Sequence, residues 1–258
     1  MKELLKDVTA IAQQAGDAIM VVYTSDSFNV ELKNDDSPLT RADIAANDII
    51  VTALTELTPN IPILSEESEK IPYETRKQWT KFWLVDPLDG TKEFIKRNGE
   101  FTVNIALIEN GKPILGVVYA PVLKHTYSGV EGLGAFKKEK DNLISEIKTA
   151  DYRTQKLKVV ASRSHAGPDL QSFLDSLGEY DVISMGSSLK LCLVAEGKAH
   201  VYPRLGPTME WDTAAAHAIV NAAGGQVTNL EKEPLQYNKE NLLNPYFIVV
   251  GKPPFEWS

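Results

Sequence analysis

Two long apolar runs, Thr102–Glu109 and Lys112–Ala120, meet at Asn110-Gly111, and no other feature restricts the fold so strongly. Asn-Gly suits the two positive-φ positions of a tight hairpin turn, so the runs read as adjacent antiparallel strands. Glycine-rich Tyr127–Phe136 extends them into a meander. Ahead of the hairpin, Leu4, Leu5, Val8, Ile11, Ala12, Ala15 and Ile19 recur at helical spacing, and Asp43–Leu57 reads as a second helix stopped by Pro59 and Pro62. Behind it, strands at Lys156–Ala161, Ala199–Tyr202, Val227 and Phe247–Val250 alternate with helices at Asp169–Leu177, Ser188–Glu196 and Thr213–Ala223. Gly197 and Gly224-Gly225 stop the last two helices. Helices, then a meander, then alternating elements predict an α/β (α+β) chain of two αβ lobes in a layered sandwich. The lobes are expected at 1–145 and 146–258, joined near 137–155 and packed as one compact unit.

The net charge is −8 at pH 7, and no lysine- or arginine-rich run stands out. That excludes a surface built to hold a nucleic-acid polymer, so any anionic ligand must be held locally. Charged residues in the first helix leave no signal peptide or transmembrane segment, and the lone Cys192 fits a reducing compartment. The expected location is therefore cytoplasmic.

The chemistry concentrates in Trp83-Leu84-Val85-Asp86-Pro87-Leu88-Asp89-Gly90-Thr91. An apolar strand delivers two carboxylates three residues apart through a proline-stiffened turn. Such a turn can aim both acids and the Leu88 carbonyl at one spot, as hard cations require. Asp-Pro and Asp-Gly also make ordinary turns. Upstream, Ile63-Leu64-Ser65 ends on Glu66-Glu67, which offers another carboxylate or merely a solvated acidic loop. Downstream, Glu210-Trp211-Asp212 precedes an alanine-rich helix, so Asp212 reads as a helix cap, a ligand or both.

In order and spacing these segments resemble the inositol monophosphatase family, which carries an apolar-Asp-Pro-Leu-Asp-Gly-Thr motif and a later Trp-Asp before a helix. Ser37–Asp43 and the Glu66-Glu67 pair extend the resemblance over nearly the whole chain. The resemblance implies a layered αβαβα sandwich of the sugar-phosphatase type and a Mg²⁺-dependent, lithium-sensitive phosphatase using two or three ions. It further implies that Glu66, Asp86, Asp89, Asp212 and the Leu88 carbonyl hold the metal. Thr91 and Glu66 would activate the water, and Asp43 would orient it or sit at a weaker metal position.

Three more segments bear on the substrate: Ser162-Arg163-Ser164-His165, Gly186-Ser187-Ser188-Leu189-Lys190, and Tyr202-Pro203-Arg204, in which Arg204 follows the strand Val201-Tyr202-Pro203. The second reads as backbone N–H groups, hydroxyls and one cation at a helix start, hence an anion site or an ordinary capped helix. His165 alone is more commonly a polar loop residue. Together with Lys92-Glu93-Phe94 these segments resemble the 3′(2′),5′-bisphosphate nucleotidase branch of the family. The branch implies removal of the 3′-phosphate of 3′-phosphoadenosine 5′-phosphate, and of its sulfated relative PAPS, giving AMP and phosphate from the former. Ser187, Lys190, Arg204 and His165 would contact the nucleotide, with Gly90 and the metal residues around the reacting phosphate.

Inositol phosphates and other sugar phosphates remain alternative substrates. A haloacid-dehalogenase-type phosphatase fits poorly, since its aspartates stand two apart. A non-catalytic nucleotide- or ion-sensing module would not need the water-activating groups Asp43, Glu66 and Thr91.

Overall fold

The computed structural model describes residues 1–24, 30–32, 38–154, 156–161 and 168–252. Helix α1 (Lys2–Tyr23) buries Val8, Ile11, Ala12, Ala15 and Ile19, the stripe that its spacing predicts. A two-stranded ribbon, β1 (Val30–Leu32) and β2 (Pro38–Thr40), leads into α2 (Arg41–Leu57), which packs beside α1. Next come β3 (Ile63–Ser65), the single turn α3 (Tyr73–Arg76), β4 (Lys81–Asp89) and the short α4 (Thr91–Ile95). The meander follows as β5 (Thr102–Glu109), β6 (Lys112–Ala120), β7 (His125–Val130), β8 (Gly134–Lys138) and β9 (Ile144–Ile147).

These strands form a seven-stranded sheet in the order β3-β4-β5-β6-β7-β8-β9, antiparallel except for β3 against β4. Asn110 and Gly111 have φ of 51° and 74°, the double positive pair that the hairpin turn requires. The predicted run Tyr127–Phe136 divides instead into β7 and β8 around a turn at 131–133.

The second sheet begins after Ile147. It comprises β10 (Leu157–Ala161), β11 (Tyr180–Ser184), β12 (Val201–Arg204), β13 (Gln226–Asn229) and β14 (Phe247–Val250), in the order β11-β10-β12-β14-β13. Helix α5 is Pro168–Ser176, α6 Leu189–Ala195 and α7 Glu210–Ala222. Arg204 lies on the last rung of β12, opposite Phe247, rather than after the strand.

Side-chain alternation along the strands builds the layers. On β4 and β5, Trp83, Val85, Val103, Ile105 and Leu107 pack under α1 and α2. Their neighbours Phe82, Leu84, Ala106 and Ile108 face the opposite way, into one cluster shared with α6, α7 and the second sheet. On the second sheet Val159, Val201, Ile248 and Val250 meet Leu170 and Leu174 of α5. The layers therefore run helix, sheet, helix, sheet, helix, as expected. Helix α7 lies so low on the first sheet that a Cβ on Gly116 would sit 2.0 Å from the Ala215 carbonyl oxygen, and one on Gly129 2.8 Å from Ile219 Cα. Among the described residues no helix is long and apolar enough to cross a membrane.

Candidate functional site

The end of β4 explains how two acids three residues apart reach one side. Asp86 pairs with Asn104 and Asp89 with Thr102, so three steps on β4 match two on β5. In a regular strand the two carboxylates would point to opposite faces. The bulge returns both to the face shared by Thr102 and Asn104, towards α6 and α7. Pro87, which has no N–H to give a ladder, falls inside the irregularity. The Leu88 side chain anchors it beneath α1 and α2, and the Leu88 N–H donates to Asp86 Oδ1 at 3.1 Å.

Neighbouring elements bring further acids to Asp86. The Glu66 N–H donates to the Val85 carbonyl at 3.1 Å, tying the turn after β3 to β4. Asp212, in the first turn of α7, accepts the Met209 N–H on Oδ2 at 2.9 Å. Asp212 is thus not the N-cap read from the sequence but the third helical residue, bonding back to the cap at Met209, and this bond leaves it among the acids. Carboxylate oxygens of Glu66, Asp86 and Asp212 all lie within 4.8 Å of one another. Asp43, in the first turn of α2 and buried, is near enough for its charge to act on Asp86.

Asp89 stands beside this trio and is tethered to α6. Its Oδ2 accepts the Ser188 N–H at 2.5 Å and Asn104 Nδ2 at 3.4 Å. The Ser188 hydroxyl donates to Asn104 Oδ1 at 2.9 Å, so Thr102 Oγ1, 2.8 Å away, donates in turn to Ser188. Because the Ser188 N–H serves Asp89, it is not available to an external anion.

Burial and mutual repulsion raise the proton affinity of these acids. Burial, reinforced by Glu66, Asp89, Asp212 and Asp43, holds Asp86 well above the ordinary carboxylate range. Asp89 is raised by burial despite the opposing pull of Lys190 and the Ser188 N–H. Asp212 is pushed up to about 8, first by burial and then by Asp89 and Glu66. The group is oxygen-only and short of positive charge, which is what a hard divalent cation fits.

Asp89 and Asp212 also form one wall of a cavity of about 80 Å³ that includes Ser187, Lys190, Tyr202 and Arg204. Lys190 is buried, with Nζ 5.7 Å from the centre of the Tyr202 ring. Burial lowers its pKa more than Asp89 raises it. Arg204 gives one N–H to the Pro207 carbonyl at 2.8 Å, while Arg204 Nε and Ser187 Oγ are buried with no partner among the described residues. Ser187 adopts a left-handed φ of 46°, an uncommon conformation for a residue with a side chain. Buried donors without acceptors beside two cations suit an anionic group. A cavity of about 410 Å³ between Lys112, His217, Asn221 and Gln236 contains none of the clustered acids.

Gly90, at φ 93°, turns the chain from Asp89 into α4, whose first residue is Thr91. His165 lies outside the described residues. Sequence reasoning did not single out Thr102 and Asn104 as supports of Asp89. Their signal is two polar residues, two apart, on an otherwise apolar strand.

Residues 1–246 match the model of the inositol monophosphatase family. The chain is 54% identical over 248 residues to the 3′(2′),5′-bisphosphate nucleotidase CysQ of Escherichia coli K12, covering 95% of this chain and 99% of that protein. The Haemophilus influenzae protein of the same name is 39% identical over 258 residues, covering 99% and 96%. Among solved structures, CysQ from Bacteroides thetaiotaomicron superposes with a TM-score of 0.88 at 48% identity, covering 98% of each chain. An inositol monophosphatase from Anabaena superposes with a TM-score of 0.77 at 25% identity, covering 96% of this chain and 90% of that one.

Proposed function

The chain belongs to the inositol monophosphatase family, and on that premise we propose that it is a Mg²⁺-dependent 3′(2′),5′-bisphosphate nucleotidase. Its substrate is 3′-phosphoadenosine 5′-phosphate, which it hydrolyses to AMP and phosphate, and PAPS is a second substrate of the same class. The likeness to the CysQ proteins supports a nucleotide bisphosphate as substrate. The observation that carries the reading is the adjacency of two unlike sites. A cluster of acids and a pocket with Lys190 and Arg204 share Asp212, and Asp89, beside the cluster, lines the same pocket. A monophosphate has no second anion to engage the cations.

Glu66, Asp86, Asp89, Asp212 and the Leu88 carbonyl would hold Mg²⁺ in two or three positions, a set whose all-oxygen donors and net negative charge fit that ion. When bound, the metal neutralises the reacting phosphate and acidifies a water. The protein's own groups do the rest. Glu66 and Thr91 take the proton of the attacking water, and Asp43 orients it. The Gly90 turn brings backbone close to the phosphate oxygens. Ser187, Lys190, Arg204 and His165 hold the remainder of the nucleotide, fixing which phosphate faces the acids.

Phosphate release measured over adenosine 3′,5′-bisphosphate, PAPS, inositol 1-phosphate and fructose 1,6-bisphosphate, with Mg²⁺ or excess EDTA, tests this. The expected result is preference for the nucleotides, loss of turnover in EDTA, and inhibition by lithium. Full activity in EDTA would remove the metal reading, and preference for inositol 1-phosphate would remove the nucleotide reading alone.

A further inference from the structure

The trio, with Asp86 buried and Glu66 and Asp212 half-buried beside it, holds like charges close together on separate parts of the chain, and something must keep them there. Glu66 leaves β3 and leads towards α3, which ends at Arg76, while Asp212 begins α7. A segment far along the chain, 236–244, joins the two. Arg76 is buried, and its two terminal nitrogens donate to Asn238 Oδ1 at 3.0 Å and to the carbonyls of Lys239 at 2.5 Å and Glu240 at 2.7 Å. Asn238 Nδ2 returns a bond to the Arg76 carbonyl at 2.6 Å.

The other side of this strap grips the start of α7. Glu210 has no exposed surface, and it accepts the Asn238 N–H at 2.7 Å, the Lys239 N–H at 2.9 Å and Lys239 Nζ at 2.6 Å. The Glu210 N–H donates to the Leu242 carbonyl at 2.9 Å. Asn244 Nδ2 donates to the Met209 carbonyl at 2.8 Å and to Thr213 Oγ1 at 3.1 Å, so the residues around Asp212 are held from both sides.

We propose that Arg76, Glu210 and Lys239 are positioning residues. Through the strap they fasten the segment after Glu66 to the helix turn of Asp212, and so hold the trio at the separation that a divalent cation requires. Glu210 and Asp212 divide the work of one helix turn: Asp212 joins the acids, and Glu210 turns away and locks the turn down. A buried carboxylate with three donors and a buried guanidinium whose terminal nitrogens meet three acceptors, its Nε meeting none among the described residues, are costly to desolvate and costly to break apart. The arrangement opposes the repulsion that would otherwise spread Glu66, Asp86 and Asp212 apart. This inference rests on the Mg²⁺ reading of the acids.

The test measures the Mg²⁺-induced rise in melting temperature of the full chain across a Mg²⁺ titration, which needs no substrate. Arg76→Lys and Lys239→Met, which trim the clamp, and Glu210→Gln, which removes its charge, are compared with wild type. Each is expected to raise the Mg²⁺ midpoint, by about tenfold for Glu210→Gln and less for the other two, within the range for mutations acting through a network. Phosphatase assays should show the same displacement in Mg²⁺ dependence while kcat at saturating Mg²⁺ stays within a few-fold. Lower melting temperatures with an unchanged Mg²⁺ midpoint would overturn the proposal, since a purely structural clamp behaves that way. If Glu210→Gln does not fold, unchanged midpoints in both Arg76→Lys and Lys239→Met overturn it equally. Wild-type protein with no response to Mg²⁺ would instead defeat the metal reading itself.

Discussion

Replacing Asp212 by Asn should make the metal-free protein more stable while disabling it. Asp212 is pushed from its ordinary 3.8 up to about 8 in the folded chain, by burial first and by Asp89 and Glu66 next. A carboxyl with a raised folded pKa favours folding below its unfolded pKa and loses that contribution as pH rises through the folded value. Metal-free wild type should therefore lose stability progressively between about pH 4 and pH 8, the window set by the two pKa values. Four pH units at about 1.4 kcal/mol each would give roughly 6 kcal/mol if no other group adjusted. Proton sharing among Asp86, Asp89 and Asp212 and local relaxation reduce this to about 2–3 kcal/mol. Asn keeps an oxygen to accept the Met209 N–H, so the helix start survives. The variant should then melt about 5–10 °C above wild type at pH 8 in EDTA, and level with it near pH 4.5. Adding Mg²⁺ should lift wild type past the variant, whose own response and turnover are lost. Thermal melts from pH 4.5 to 8.5, with EDTA or Mg²⁺, decide the matter. A metal-free variant that is less stable than wild type at pH 8, or one that keeps the wild-type Mg²⁺ response, would refute the reasoning.

Two further outcomes follow from the pocket and the core. Lys190→Ala or Arg204→Ala should lower kcat/KM for adenosine 3′,5′-bisphosphate by about ten- to a hundredfold, because each lost charged hydrogen bond to phosphate is worth about 1.5–3 kcal/mol. An adenosine monophosphate lacking the second phosphate should be hydrolysed as before; equal loss on both would place the cations at the reacting phosphate. His217, buried with Nδ1 2.8 Å from the Tyr237 hydroxyl, is lowered by burial to about 3. Its contribution is complete above pH 6.5 and falls away between 6.5 and 3, by up to about 1.4 kcal/mol per pH unit. His217→Gln should flatten the acid limb of a urea-stability profile over that window, and an unchanged slope would show that other groups set it.

The elements that sequence made legible are those whose burial is periodic. The Asn110-Gly111 hairpin and the stripe of α1 announce themselves because one side of each meets a core. Strands β9 and β11 did not, since both are sheet edges, β9 largely exposed and β11 with no buried residue, and such exposure erases the alternation that identifies a strand. Helices α3 and α4 are too short to display a period. Strand β4 runs past the expected stop at Val85 through Pro87 to Asp89 because the bulge spares the proline a ladder bond. Helix α7 starts at Glu210 rather than Thr213, its first turn being acidic rather than apolar. The acids themselves stood out as types in a spacing. What held them did not: Thr102 and Asn104 reach Ser188 across more than eighty residues, and Arg76 meets the strap at a separation of 162 to 164. Such pairings exist only once the layers have stacked.

The seat of α7 on Gly116 and Gly129 has a consequence for how this chain tolerates change. Where a carbonyl of the helix rests almost on a strand backbone, the gap between them is set by main chain rather than by side-chain size. Core residues elsewhere can drift in volume without tilting the helix that carries Asp212, while either glycine can accept hardly anything. Even Gly116→Ala would force the helix upward, since the added methyl would overlap the Ala215 carbonyl. Substitutions around Lys190 and Arg204 are therefore expected to leave the height of the helix that carries Asp212 unchanged.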